Sequence, residues 1–188
     1  MKYNLSFFLL LLSIGSQCFS QAQLEREHRI KKSEFPTYEL NPMLLLQAKK
    51  IRYYREVDTS ATIYSLKFKK NKMDYHMDFN EKGVLLDMGF LVKEIDIPSD
   101  SYSTITTYLN NNFNRVKIKR IHQRYTATDE NAIRNTFQNL ILPTITYRIQ
   151  FRAKKKQPME DFIATFDAEG KVLQVKRALP ANFDRILY

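Results

Sequence analysis

Apolar and polar residues alternate along two distant stretches of the chain, and the two alternations match. Tyr64, Leu66 and Phe68 fall on one side of an extended strand, with Ser65, Lys67 and Lys69 on the other. Tyr147, Ile149 and Phe151 repeat this, with Arg148, Gln150 and Arg152 opposite. Side chains of a strand alternate with a period of two, so each stretch predicts a strand with one dry and one wet face. The chain then returns, through Tyr75, Met77 and Phe79 in the first copy and Phe162, Ala164 and Phe166 in the second. Each copy closes on a similar turn, Phe79-Asn-Glu-Lys-Gly83 and Phe166-Asp-Ala-Glu-Gly170, in which glycine supplies the positive φ that a Cβ resists. One hairpin is thus written twice, over Tyr64–Leu86 and Tyr147–Leu173. The fold expected is α+β: two tandem units of antiparallel sheet, with helices packed on one face.

The remaining pattern fills in around these hairpins. Phe35-Pro36 marks a break, because the residue before proline is pushed out of helical geometry. Asn41 and Pro42 then predict the start of a short helix. Ile51–Val57 reads as a strand, Asp58–Ser60 as a turn, and Val84–Phe90 as a further strand with Val84, Leu86 and Met88 on one face. After Ile97-Pro98, with Ser99 or Ser101 as cap, Ile105, Tyr108, Leu109 and Phe113 recur at helical spacing and predict a stripe that packs on the sheet. Arg115–Tyr125 alternates as a basic strand and then slips near Arg120, where a bulge is expected. Between Thr126 and Pro143 the second unit carries an insertion. There Ile133, Phe137, Leu140 and Ile141 predict a helix capped by Thr128 or Asp129 and ended by Pro143, and it is expected to form part of a partner interface.

Composition narrows the class. Residues 1–20 read as a secretory signal, with Lys2, the apolar run Leu5–Ile14, and Cys18-Phe-Ser20 before the cut. Cleavage there removes the single cysteine, so the mature chain has no disulfide, no cysteine nucleophile and no thiolate-ligated metal. It also removes one lysine and no acid, taking the formal charge from +10 to +9. Such an excess favours acidic partners. The Leu5–Ile14 run is too short for a membrane span, and none is expected after cleavage.

Candidate chemistry is sparse. His28, His76 and His122 have no helical spacing to one another. His76 and Asp78 share the wet face of one strand, where a metal or a general base could be held, but two polar neighbours on an exposed strand explain them as well. Asp74 and Asp78 admit the same double reading. No glycine-flanked serine suggests a nucleophile, and the four glycines are too few for a phosphate cradle. No catalytic residue, metal ligand or cofactor is therefore assigned. The directional signal is basic: Lys67, Lys69, Arg148 and Arg152 on equivalent strands, extended by Lys117 and Lys119. Nucleic acid is disfavoured as partner, because Tyr64, Phe68, Tyr147 and Phe151 point away from these cations and cannot stack with bases beside them.

Taken together, Ile97-Pro98, the stripe Ile105/Leu109/Phe113, the strand Val116–Ile121, Tyr147-x-Ile-x-Phe151 and Phe166-Asp-x-x-Gly170 resemble the PepSY-like, or β-lactamase-inhibitor-like, family of exported bacterial proteins. Phe35-Pro36, Tyr64-x-Leu-x-Phe68 and Phe79-Asn-x-x-Gly83 give the first unit the same likeness. The resemblance implies units at 21–90 and 91–188, the latter with its insertion at 126–143, and an antiparallel sheet with helices on one face. It also implies a periplasmic or secreted protein of a Gram-negative bacterium that binds or restrains other proteins, peptidases in particular, and brings no catalytic residues. The chain departs from the pattern at Asn114, where the family often has proline, and at the insertion. The function expected is non-enzymatic binding of an envelope protein through the sheet, with adhesion to an anionic polymer or membrane surface as the alternative.

Overall fold

A computed structural model describes residues 26–40, 45–57, 61–126, 130–155 and 158–178. The expected leader, the start of the helix at Asn41, the turn at Asp58–Ser60 and the caps at Thr128 or Asp129 lie outside these residues, as does the tail from Leu179. The alternating stretches form strands β1 (Arg26–Ile30), β2 (Lys49–Val57), β3 (Thr62–Lys70), β4 (Met73–Phe79), β5 (Leu85–Val92), β6 (Asn114–Thr126), β7 (Thr146–Lys154), β8 (Glu160–Asp167) and β9 (Val172–Ala178). They make one nine-stranded antiparallel sheet in which each strand pairs only with its neighbours in the chain. Helices α1 (Ser99–Asn112) and α2 (Glu130–Phe137) complete an α+β fold.

The two written hairpins are β3–β4 and β7–β8, and they are built alike. Phe68 stands opposite Tyr75 and Phe151 opposite Phe162, and in each case the rings stack with centroids 5.5 Å apart. The closing turns agree atom for atom. Asn80 Oδ1 accepts from the amides of Lys82 and Val84 at 2.9 and 3.0 Å, and Asp167 Oδ1 accepts from those of Glu169 and Lys171 at 3.0 and 2.8 Å. Gly83 and Gly170 follow at φ +76° and +84°. Positive φ is only half the reason for glycine: an added Cβ would lie 1.9 Å from the Thr37 carbonyl oxygen at Gly83, and 2.3 Å from that of Ser101 at Gly170.

The backbone that presses on each glycine is the segment just after Phe35-Pro36 or Ile97-Pro98. Each of these segments is set by a 3-10 turn closed in the same way. The Lys31 amide donates to Glu34 at 2.9 Å, and the Lys93 amide to Asp96 at 2.8 Å. The following Phe35 and Ile97 are both buried. Register slips near the start of β2 and of β6, with Lys50 and Arg115 at positive φ, extend the correspondence.

One face of the sheet carries the core. Phe35 meets Tyr53, Tyr64 and Phe79 edge-on over β2–β4. The stripe of α1 behaves as expected, with Ile105 and Leu109 buried, Tyr108 edge-on to Phe166, and Phe113 against Phe151 and Phe162. Between them α2 sets Phe137 against Tyr75, and Tyr125 donates its hydroxyl to the Leu140 carbonyl at 2.6 Å. Helix α2 therefore lies on the covered face, with Ile133 in the core and Phe137 packed against it.

Several local expectations are corrected. The α1 helix has Pro98 at its N-cap with no side-chain cap, and Ser101 instead donates to the Ala168 carbonyl at 2.7 Å, tying α1 to the β8–β9 turn. Helix α2 ends at Phe137, well before Pro143, and leaves Leu140 and Ile141 exposed beyond it. Of the short helix expected after Asn41, the described residues show only its end: Leu45 is in a 3-10 turn, and the Ala48 amide donates to the Leu45 carbonyl at 2.9 Å. In β5 the register slips opposite Asp78 and Phe79, so Leu85 takes the core position expected of Leu86, and Val84 is exposed. The bulge expected near Arg120 is present, between Ile118 and Arg120.

The sheet is also strongly curled. β2 and β7 are five strand spacings apart, about 24 Å in a flat sheet. Yet Arg148 Nη2 on β7 lies 3.7 Å from Glu56 Oε1 on β2. With the helices on the outside of the bend, the opposite face becomes a trough, and the side chains expected to be wet are drawn inside it.

Candidate functional site

The trough is furnished by the polar half of the alternation. Ser65 and Lys67 on β3, His76 and Asp78 on β4, Asp87 on β5, His122 and Arg124 on β6, and Arg148 on β7 all stand on the face away from the helices. His76 and Asp78, read from the sequence as neighbours on an exposed strand, are only 7% and 6% exposed. Curling explains the change: a concave polar face shields the side chains at its centre.

Arg124 is the hub. Its Nε donates to Asp87 Oδ1 at 3.0 Å, and its Nη2 serves both Asp87 Oδ2 and Asp78 Oδ2, the latter at 2.8 Å. Ser65 Oγ donates to Asp78 Oδ1 at 2.6 Å. Charge-assisted, bidentate bonds of this kind are the strong ones in a shielded setting. Burial alone would raise the Asp87 pKa, but His76 and Arg124 outweigh it and hold the carboxyl below its usual range. Burial likewise opposes the Arg124 charge, and Asp87 with Asp78 more than restores it.

Two histidines meet beside this hub. His76 on β4 and His122 on β6 reach toward each other across β5, with Nδ1 atoms 3.3 Å apart and ring centroids 5.0 Å apart. What lies between them on β5 is Gly89, which pairs with His76 on one side and Arg124 on the other. An added Cβ at Gly89 would lie 2.7 Å from His76 Cε1 and 2.3 Å from the Gln123 carbonyl oxygen. The missing side chain is what lets the rings approach. Burial drives the His122 pKa well below its ordinary value, helped by His76 and by the charges of Lys67, Arg148 and Arg124. His122 is accordingly neutral at pH 7. His76 Nε2 lies 3.7 Å from Asp87 Oδ1.

Next to the hub a cavity of about 250 Å³ opens, lined among others by Glu56, Asp87, Arg124, Arg148, Thr165 and Lys176. Its walls draw on β2, next to one edge of the sheet, and on β9 at the other edge. The cavity thus offers fixed charges of both signs at the floor of a trough.

The six cations singled out in the sequence fall into two groups. Lys67 pairs with Glu27 and lies 4.5 Å above the Tyr54 ring, Lys69 pairs with Asp74 at 3.1 Å, Lys119 pairs with Asp161, and Arg148 approaches Glu56. Lys117 and Arg152 are register partners at one end of the trough; both are exposed and neither holds an ion pair among the described residues, although Arg152 stands opposite Asp161, which pairs with Lys119. The sequence reading missed Glu56, Asp87, Gly89, His122 and Arg124 as parts of one cluster. Gly89 was the available signal, as the glycine outside the leader that no turn explains.

No protein-family model matches the chain, and no curated protein matches it. Among solved structures, it is similar to a DUF2874 family protein from Bacteroides ovatus, 10% identical over 72% of this chain and 80% of that one, with a TM-score of 0.47. A DUF2874 family protein from Bacteroides uniformis is 7% identical over 72% and 82%, with a TM-score of 0.46. A BLIP-like protein from Bacteroides fragilis is 11% identical over 74% and 88%, with a TM-score of 0.43.

Proposed function

We propose that the chain is an exported, non-enzymatic binding protein of the Gram-negative periplasm or cell exterior, a tandem of two PepSY-like units that engages another envelope protein through the trough of its sheet. One observation carries this reading: the sheet is covered by helices on a single face, and the uncovered face is curled into a cleft with ordered charges at its floor and free cations at its end. An uncovered, preorganised concave surface is what recognition of a protruding segment asks for, because its side chains are already held in place before binding. The apolar run Leu5–Ile14 supports export, and the cationic excess supports an acidic partner.

The cations to test are Lys117 and Arg152. Lys67 and Arg148 hold internal ion pairs, so reversing them would disturb the trough itself. The double variant Lys117→Glu, Arg152→Glu is expected to lose most capture of the envelope partner from native extract while its thermal unfolding stays within a degree or two. Capture at the wild-type level would end the reading. Adhesion to an anionic polymer, favoured by the net charge, differs in its salt response: binding to such a polymer falls steeply with added salt, whereas a shielded protein contact resists it.

A further inference from the structure

We propose that His76 and His122 form a binding site for a divalent transition-metal ion, held between their Nδ1 atoms, with Asp87 as the carboxylate that orients His76. The two nitrogens are 3.3 Å apart. A tetrahedral zinc ion with metal–nitrogen distances of about 2.0–2.1 Å sets two ligand nitrogens about 3.3 Å from each other. The same spacing is within reach of a ring-to-ring hydrogen bond, which the metal would replace. Neither Nδ1 has another hydrogen-bond partner among the described residues.

The surroundings fit a ligand role. His76 Nε2 lies 3.7 Å from Asp87 Oδ1, an ion-pair distance longer than a hydrogen bond. A ligating histidine commonly points its second N–H at a carboxylate, which fixes ring and tautomer. Asp87 is itself locked by Arg124. Asp78 and Asp87 place two carboxylates near His76 against the guanidinium of Arg124, while Lys67 and Arg148 beside the rings are each paired with a glutamate, Glu27 and Glu56.

A different set, His76 with Asp78 and Asp87, also brings ligand atoms within 4.8 Å of one another. That arrangement requires the metal to evict Arg124 from both carboxylates, whereas a metal between the two rings leaves every ion pair in place. Imidazole donors suit zinc, nickel and copper better than magnesium or calcium. Solvent in the trough supplies the remaining positions.

The test is titration of the purified chain with zinc chloride at pH 7.5, followed calorimetrically, with cobalt(II) absorption as a check on geometry. One zinc per chain is expected. His76→Ala and His122→Ala should each weaken binding at least tenfold, and Asp87→Asn by about tenfold. His28→Ala should leave binding unchanged. Absence of stoichiometric binding up to millimolar zinc, or binding that survives both His76→Ala and His122→Ala, overturns the site. Should a variant fail to fold, the imidazole nitrogen resonances of the wild-type chain decide: zinc must shift Nδ1 of His76 and His122 and not those of His28. A shift confined to His28, or no shift, also overturns it.

Discussion

Tyr147 is fully buried, and its hydroxyl has no hydrogen-bond partner among the described residues. An unmade bond of this kind costs about 1–3 kcal/mol. Tyr147→Phe, which removes the oxygen and keeps the ring, is therefore expected to leave stability unchanged or raise it by about 1 kcal/mol in urea unfolding. A loss of that size would show that the hydroxyl is bonded after all. At this scale the sequence told which aromatics turn inward, because period two decides that for each strand separately. It could not tell that His76 and His122 touch. The two residues are far apart in the chain and come together only because Gly89 separates them with no side chain, a fact of register across three strands.

Elements were more legible where they were written twice. The turns at Gly83 and Gly170 were readable from Asn or Asp followed by glycine, and each performs the same hydrogen bonding. The single-copy insertion was read less well. Its helix exists but stops at Phe137: Ile133 and Phe137 pack on the core, while Leu140 and Ile141 stand exposed beyond it, since periodicity identifies an apolar side without saying what that side meets. Leu85 and Leu86 exchanged roles for a related reason: a bulge adds one residue and reverses every side beyond it. The insertion is expected to be structural. Ile133→Ala, at a site 8% exposed, should lower stability by about 2–5 kcal/mol and leave capture by the trough intact. Loss of capture at full stability would instead assign the helix to an interface.

Over the whole molecule, the curl of the sheet is what the pattern concealed. Alternation distinguishes two faces, and it labels the charged one as wet whether that face is flat or folded inward. Two perturbed aromatic hydroxyls give the assembled protein a pH signature. Burial, with Glu94 nearby, pushes Tyr102 up to about 12, and burial pushes Tyr125 up to about 12 despite an opposing bond from Gln123. Below the ordinary tyrosine value of about 10 both folded and unfolded chains hold these protons, and the contribution to stability is complete. Between about pH 10 and 12 the unfolded chain ionises first, so stability should fall as pH rises. Urea midpoints across that range should show the slope, and Tyr125→Phe or Tyr102→Phe should each flatten it. Equal slopes in all three proteins would contradict the assignment.

Because every strand bonds only to the strands before and after it, the sheet has no crossover to thread. Loop closure between sequence neighbours is entropically cheap, and topologies dominated by it fold fast for their size. A polypeptide delivered one end first, from a ribosome or a translocation pore, can add each hairpin to the last as it emerges. Assembly need not wait for the C-terminus to arrive.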